Sequence, residues 1–405
     1  MFNRKRSFLL KNKARRQSRL RAFLHKMAGR DGKREDGMKE CDGVFEGGGV
    51  RGIGHVGAAC VMEQAGYRFC RLAGSSAGAI VAALLAAGYD CGELKREMGR
   101  ADYRRMRGRD RLDRLGTLGK GASLLLHLGI YDTVYLGQWV RGLLQNKGVE
   151  TFGDLKGSGR QLKITASDVT ARKLLIFPDS LTEFGRDPDS FPVWEAVRMS
   201  AGIPIYFEPC RLSDRRGRTH LIVDGGLLSN YPIWLFDGRE TKRPVFGFRF
   251  CGREDGDGTG EGSNGDGSAK EGCDPGGGRL KNPSGSDAGN RRGEPCPKDR
   301  EPGTACLRET QGAFAASRPG LLSYLQSIVS TSLDAIDNSR MEAGDRERSI
   351  LIPATVDTGA GEKKIGAADF SITEEEQAAL FQNGERAARR FLETWSFRKW
   401  KQAYR

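Results

Sequence analysis

One serine of this sequence stands in a pattern that activates hydroxyl groups. Ser76 is the centre of a G-x-S-x-G run, with Gly74 before it and Gly78 after it. The residues before the run predict a strand over 69–73, and the small apolar residues after it predict a helix. A strand, tight turn and helix form a nucleophile elbow, which lifts the serine oxygen above a sheet, near the positive end of the helix. We predict that Ser76 is a nucleophile, although the run alone is equally typical of a turn that opens a buried helix.

A glycine loop precedes this serine. Gly47, Gly48 and Gly49 lie between a predicted strand over 42–46 and a predicted helix over 53–65. Consecutive glycines before a helix leave backbone N–H groups that can converge on developing negative charge. In an acyl-transfer enzyme this loop would be the oxyanion hole, with Gly48 and Gly49 as the main donors and Arg51 behind them.

The same loop satisfies a nucleotide-binding spacing. Gly47, Gly49 and Gly52 match G-x-G-x-x-G. A dinucleotide site also needs a carboxylate at the end of the next strand, to hold a ribose hydroxyl. That strand ends in the residues LAGS at 72–75, which contain none. No dinucleotide cofactor is therefore expected.

A serine nucleophile needs a neighbour that takes its proton, and one carboxylate is well placed. Asp224 ends a predicted strand over 221–223 and precedes Gly225 and Gly226. Active sites of open α/β sheets lie at the carboxyl ends of strands, although an Asp before glycine is also typical of an ordinary turn. We predict that Asp224 is the general base for Ser76.

Histidine is the alternative base. The sequence holds four histidines, and none follows Asp224: His25, His55, His127 and His220. A triad of Ser76 with His220, oriented by Asp168 or Asp214, stays open. The direct pair of Ser76 and Asp224 fits the layout better, because His220 lies four residues before the strand end.

Charge is concentrated at the N-terminus. The net charge is +14, and residues 1–35 alone carry 13 Lys/Arg and 2 Asp/Glu. Apolar residues between 20 and 27 have the spacing of a short basic amphipathic helix. A solvated tail is the usual meaning of such a segment; attraction to anionic lipid is the main functional alternative, ahead of a transit peptide or nucleic-acid contact. No run of 18 apolar residues is present, so no membrane span is expected.

Cysteine usage predicts a reducing compartment. The nine cysteines form no C-x-x-C pair and are odd in number, so neither a disulfide framework nor a zinc site is expected. Cys60, Cys70 and Cys91 fall in apolar runs, which is typical of small core residues with free thiols. We expect a cytoplasmic protein without a metal, whose basic tail is a candidate contact with the inner membrane surface.

Composition divides the chain after its last predicted central strand, at 245–250. Residues 253–303 contain 14 glycines, 5 prolines and no aromatic residue, which predicts a disordered insert over 251–320. After this insert we predict ordered structure again: a helix over 321–336, a strand over 349–353 and a long helix over 373–395. Charged residues between 95 and 114 favour either a solvated helical face or a mobile cover over the site.

Three ordered motifs together resemble the patatin-like phospholipase family. They are GGGVRG at 47–52, GSSAG at 74–78 and DGG at 224–226, and DGVFEGGG at 42–49 and SAGIPIYFEP at 200–209 are similar to bacterial members. The resemblance covers about 42–250, with a weaker match over 321–395. It implies an α/β fold of three layers, α/β/α, around a mostly parallel sheet, with a C-terminal helical extension.

The resemblance also implies an activity and its residues. The expected activity is hydrolysis of lipid carboxyl esters, with a lipid ester as substrate, no cofactor and no nucleic-acid partner. Ser76 would be the nucleophile and Asp224 the proton acceptor. The oxyanion hole would be formed by Gly47, Gly48, Gly49, Val50, Arg51 and Gly52, with Gly74 and Gly78 in the elbow and Gly225 and Gly226 beside the base.

The predicted organisation is a basic tail over 1–41, a catalytic domain over 42–250, the insert over 251–320 and a mainly helical segment over 321–405 that packs on the catalytic domain. Two functional alternatives remain: an esterase that uses His220, and a non-catalytic membrane-surface protein with a vestigial elbow. Oligomeric state and lipid headgroup preference are not specified by these patterns.

Overall fold

The structure is a computed structural model that describes residues 38–106, 128–238, 242–252, 341–357, 359 and 361–405. Its centre is a mixed sheet of eight strands, ordered β10-β9-β1-β2-β4-β8-β7, with β5 also paired to β4. The strands of this sheet are β1 (Lys39–Phe45), β2 (Tyr67–Gly74), β4 (Gln161–Asp168), β5 (Lys173–Phe177), β7 (Cys210–Ser213), β8 (Thr219–Asp224), β9 (Val245–Cys251) and β10 (Ser349–Pro353). Two small sheets pair β3 (Gly129–Tyr131) with β6 (Ile205–Phe207) and β11 (Thr355–Asp357) with β12 (Glu362–Lys364).

The strands from β10 to β4 run parallel, whereas β5 and β8 pair antiparallel with β4, and β7 pairs antiparallel with β8. The predicted α/β class with a mostly parallel sheet is confirmed. Strands β1 and β2 are adjacent and parallel, so the loops that follow them leave the sheet at the same edge.

Strand β8 reaches this edge from the opposite direction. The end of β2 is level with Ile164 of β4, and β4 continues for four more residues. Strand β8 pairs antiparallel with this overhang, from Asp168↔Ile222 to Ala166↔Asp224. Asp224 therefore lies within two residues of the level where β2 ends, although β8 runs antiparallel to β4. The sequence predicts Asp224 at the end of a strand and leaves the direction of that strand open.

Helices cover the sheet. They are α1 (Gly52–Gln64), α2 (Ala77–Ala86), α3 (Cys91–Gly99), α4 (Tyr103–Met106), α5 (Val134–Asn146), α6 (Phe152–Lys156), α7 (Val193–Ser200), α8 (Gly226–Ser229), α9 (Ala343–Glu347), α10 (Glu374–Thr394) and α11 (Phe397–Tyr404). Helices α1 and α2 are buried along most of their length because nearly all their side chains are small or apolar. The main core lies between these two helices, α10 and one sheet face; a smaller apolar cluster on Val44, Ala73 and the 3₁₀ turn Ile233–Phe236 lies on the other face.

The C-terminal segment packs on the sheet and on α1. Strand β10 pairs parallel with β9, and α10 crosses α1 at glycines. A Cβ atom at Gly384 would lie 1.9 Å from Gly54 O, and one at Gly57 would lie 2.0 Å from Phe381 O. This close crossing requires small residues on both helices. Thr373 caps α10 through a capping box with Glu376, as its sequence predicts.

The cysteine prediction is wrong for one pair. Cys60 on α1 and Cys91 at the start of α3 form a disulfide across a sequence separation of 31 residues. Helices α1 and α3 pack side by side, which brings the two residues together, and residue spacing contains no signal for that packing. Cys41, Cys70 and Cys210 are buried free thiols.

Several predicted features lie outside the described residues: the basic tail up to residue 37, residues 107–114 at the end of the charged run, most of the Gly-rich insert and the helix over 321–336. Their boundaries stay predictions. Within the described ranges, each helix is too short or too polar to cross a lipid bilayer.

Candidate active site

The turn between β2 and α2 holds Ser76 in a strained conformation. Its φ is 51° and its ψ is −123°, a region that non-glycine residues rarely adopt. The turn is tight because its glycines pack against backbone: a Cβ atom at Gly74 would lie 2.3 Å from Gly78 C, and one at Gly78 would lie 2.2 Å from Phe45 O. The side chain of Ser76 therefore projects from the sheet edge at the N-terminus of α2, as an elbow requires.

The structure brings Ser76 and Asp224 together. Ser76 Oγ donates to Asp224 Oδ2 over 2.6 Å, although the residues are 148 positions apart. The other oxygen, Oδ1, accepts from the Gly226 N–H over 2.8 Å. Gly225 is closely packed, since a Cβ atom there would lie 2.3 Å from Thr165 O. These contacts fix the orientation of the Asp224 carboxylate, so that Oδ2 faces Ser76.

Burial makes Asp224 a stronger base than a solvated carboxylate. The residue is 3% exposed. Loss of hydration raises the pKa of Asp224 to about 6, and the hydrogen bonds from Ser76 and Gly226 oppose that rise only in part. A carboxylate with this pKa accepts a proton more readily and is still ionised at neutral pH.

The glycine loop lies against Ser76, and only some of its N–H groups are available to bind an oxyanion. A Cβ atom at Gly47 would lie 3.3 Å from Ser76 Cβ. Four N–H groups of the predicted oxyanion hole already donate within the protein: Gly47 to Asn230 O, Val50 to Ala367 O, Arg51 to Gly48 O and Gly52 to Gly49 O. Within the described ranges, the N–H groups of Gly48 and Gly49 have no such partner. These two remain as candidate donors to an oxyanion.

Residues that the sequence reasoning missed fix this loop. Asn230 holds Gly47 from both sides, because its backbone carbonyl accepts from the Gly47 N–H and its Nδ2 donates to Gly47 O over 3.4 Å. His55 Nε2 lies 2.8 Å from Glu46 O, and burial lowers the pKa of His55 to about 3. The imidazole is therefore neutral, and Nε2 donates to that carbonyl. No sequence signal identified His55, whereas Asn230 follows the DGG motif closely.

The C-terminal segment also holds the glycine loop in place. Ala367 O accepts from the Val50 N–H over 3.0 Å, and a Cβ atom at Gly49 would lie 1.8 Å from the same oxygen. Gly49 also has a positive φ of 54°, so both its space and its conformation exclude a side chain. A loop that follows β12 thus completes the glycine loop from a distant part of the sequence.

An apolar cleft opens beside Ser76. Its empty volume is about 510 Å³ when the solvent at its open mouth is included. Among the described residues, its wall has no charged side chain and is formed by Gly49, Val50, Ser76, Ala77, Ile80, Met98, Tyr103, Met106, Leu136, Trp139, Ala201, Ile203, Phe207 and Phe370. Such a cleft can hold a hydrocarbon chain whose ester group lies at the serine.

The structure does not bring His220 to Ser76. His220 Nδ1 lies 2.6 Å from Asp168 Oδ2, and Nε2 lies 3.5 Å from Asp214 Oδ2. Four residues of strand β8, about 13 Å, separate His220 from Asp224. In the described ranges, no group of His, Cys, Asp and Glu side chains is arranged to hold a metal ion.

Comparison with known sequences identifies related proteins. The model of the patatin-like phospholipase family matches residues 43–237. A protein of Bacillus subtilis (strain 168), described as uncharacterized protein YqhO, is 33% identical over 362 residues, which are 88% of this chain and 99% of the relative.

Two solved structures are similar over most of this chain at low sequence identity. VipD from Legionella pneumophila is 16% identical with a TM-score of 0.45, over 90% of this chain and 69% of VipD. The type III effector ExoU of Pseudomonas aeruginosa is 16% identical with a TM-score of 0.42, over 88% of this chain and 53% of ExoU.

Proposed function

Because the chain belongs to the patatin-like phospholipase family, we propose that it hydrolyses lipid carboxyl esters through Ser76 and Asp224. The observation that carries the proposal is the 2.6 Å hydrogen bond between Ser76 Oγ and Asp224 Oδ2, at the mouth of an apolar cleft. A strained serine, a buried carboxylate and two unengaged N–H groups are the parts that acyl transfer needs.

The first half-reaction would form an acyl-enzyme. The acyl chain lies in the cleft, and Ser76 Oγ attacks the ester carbonyl carbon while Asp224 Oδ2 takes the hydroxyl proton. The carbonyl oxygen becomes negative and accepts from the Gly48 and Gly49 N–H groups. The C–O bond to the leaving alcohol then breaks, and Asp224 returns the proton to the alcohol oxygen.

The second half-reaction would release the fatty acid. A water molecule attacks the acyl carbon while Asp224 again accepts a proton, and the bond to Ser76 Oγ breaks. Asp224 returns that proton to Ser76 Oγ, so the enzyme is regenerated and one water is consumed for each ester cleaved. Asp224 takes and returns every proton, and its short contact with Ser76 Oγ carries the first and the last of these transfers.

The elbow's surroundings favour this mechanism over the two alternatives. His220 is held by two carboxylates at the other end of β8, which leaves it no route to the serine. A vestigial elbow has no need for a strained Ser76 or for unengaged amides on Gly48 and Gly49.

The proposal is tested by fatty-acid release from a panel of glycerophospholipids and acylglycerols. We expect release from at least one lipid class by the natural protein and none above background by Ser76→Ala. Ser75→Ala is a matched control, because Ser75 Oγ is buried and has no hydrogen-bond partner within the described residues. Equal release by the natural protein and Ser76→Ala would refute the proposal.

A further inference from the structure

Ser200 connects the backbone of the nucleophile to the backbone of the base. It is the last residue of α7 and is fully buried. Its Oγ accepts from the Ser76 N–H over 2.9 Å, and its backbone carbonyl accepts from the Gly225 N–H over 3.2 Å. Two residues later, Gly202 O accepts from the Asp224 N–H over 2.8 Å. One short segment thus holds both reacting residues.

This connection matters because the sheet does not join the two residues directly. Ser76 follows β2 and Asp224 ends β8, and strand β4 lies between these strands. A strained residue keeps its conformation only where its surroundings fix it. The Ser76 amide is at the strained position itself, and its hydrogen-bond acceptor is a side chain rather than a backbone carbonyl. A single substitution can therefore remove that acceptor without changing the backbone.

We propose that Ser200 is a positioning residue for the hydrolysis, one that holds the Ser76 amide so that Ser76 Oγ stays in contact with Asp224. The inference rests on the proposed function. Without the Ser200 hydroxyl, the buried Ser76 N–H loses its partner, and the elbow can relax away from the strained geometry. The acyl cleft is not affected by this change, so substrate binding should be preserved while the chemical step becomes slower.

A merely structural role for Ser200 predicts a different result. A buried serine at a helix end could matter only for stability, and its loss would then lower the amount of folded enzyme. The natural control is Ser229, which is also fully buried and whose Oγ has no hydrogen-bond partner within the described residues. Ser229→Ala therefore makes the same chemical change without removing a hydrogen bond.

The experiment measures kcat, KM and the unfolding midpoint for the natural protein and for Ser200→Ala, Ser200→Thr and Ser229→Ala. We expect Ser200→Ala to lower kcat by about tenfold to a hundredfold with KM within about twofold, since one unsatisfied buried N–H has that equivalent in rate. Ser200→Thr keeps the oxygen and should recover most of kcat, and Ser229→Ala should keep the natural kcat. Should Ser200→Ala not fold, Ser200→Cys takes its place, because sulfur is only a weak acceptor.

Three results would overturn the inference: a kcat for Ser200→Ala or Ser200→Cys equal to that of Ser229→Ala, a loss confined to KM, or a folded Ser200→Thr as slow as the alanine variant. Failure of the underlying function is recognised separately. In that case the natural protein shows no activity that depends on Ser76, whereas failure of this inference leaves an active natural enzyme.

Discussion

Asp168 and Asp224 are both buried carboxylates with a hydrogen-bond partner at 2.6 Å, yet we assign catalysis to only one of the two pairs. Asp168 binds His220, and Asp224 binds Ser76. By residue type, the aspartate and histidine look more like part of a catalytic triad. Asp168 also accepts from two backbone N–H groups of the following turn, and His220 is enclosed by Asp214 and Phe184.

The second pair differs in its surroundings. Ser76 is strained and lies on an apolar cleft, beside the Gly48 and Gly49 N–H groups, which have no partner among the described residues. Burial raises the pKa of Asp224. Under the proposed function, the position of a pair at the sheet edge, rather than its residue types, decides where the chemistry takes place.

The largest expected effect distinguishes the two carboxylate pairs directly. Asp224→Asn keeps the shape of the side chain but removes the base, so kcat should fall by about 10²- to 10⁴-fold. His220→Asn keeps an N–H group that can donate to Asp168, and kcat should stay within about twofold. Ester hydrolysis at saturating substrate measures both values. A large loss in His220→Asn with little loss in Asp224→Asn would reverse the assignment.

A somewhat smaller effect is expected at the oxyanion loop. In Gly49→Ala the new Cβ would meet Ala367 O at 1.8 Å, so the loop must shift and its donors must move. We expect kcat to fall by about 10²- to 10³-fold, the usual loss for one oxyanion donor. Gly66→Ala is the matched control, because Gly66 also has a positive φ but has no atom within 4 Å of the new Cβ. Equal kcat values for these two variants would argue against the loop as an oxyanion hole.

The pH dependence tests which pair supplies the base. Burial raises the pKa of Asp224 to about 6, and only the ionised carboxylate can accept the serine proton. The kcat/KM value should therefore be constant at neutral pH and fall by about tenfold per pH unit below about pH 6. The same profile is expected for His220→Asn. If the acid limb of the profile disappears in that variant, the histidine is the base.

Replacement of His220 by alanine should have the smallest effect on the rate and the largest effect on stability. His220→Ala leaves Asp168 buried without its imidazole partner, which should lower the free energy of unfolding by about 1–3 kcal/mol. The folded enzyme should keep its kcat within about twofold. Urea unfolding and the activity of the folded fraction measure these separately, and a variant with natural stability but low kcat would contradict the structural role.

Much of the fold could be predicted from the sequence because its signals are local. Strands β1, β2 and β9 and helices α1, α2 and α10 follow from apolar runs, glycine turns and a capping threonine. The elbow is equally local, since Gly74 and Gly78 are within two residues of Ser76. The three motifs thus identify the family, although no single one does.

The rest depends on contacts between distant segments. The antiparallel direction of β8, the disulfide of Cys60 with Cys91 and the contact of Ala367 with the glycine loop have no local signal. Ser200 could be predicted only in part. It is the first residue of the SAGIPIYFEP stretch that supports the family resemblance, but only the fold shows that its hydroxyl accepts from the Ser76 N–H.

Covalent labelling with a fluorophosphonate, followed by mass spectrometry of the modified peptide, tests whether Ser76 is a nucleophile that Asp224 activates. We expect an adduct on Ser76 in the natural protein, labelling at about the natural rate in His220→Asn, and much slower labelling in Asp224→Asn. Absence of an adduct on Ser76, or a labelling rate that falls with His220 and not with Asp224, would contradict this assignment.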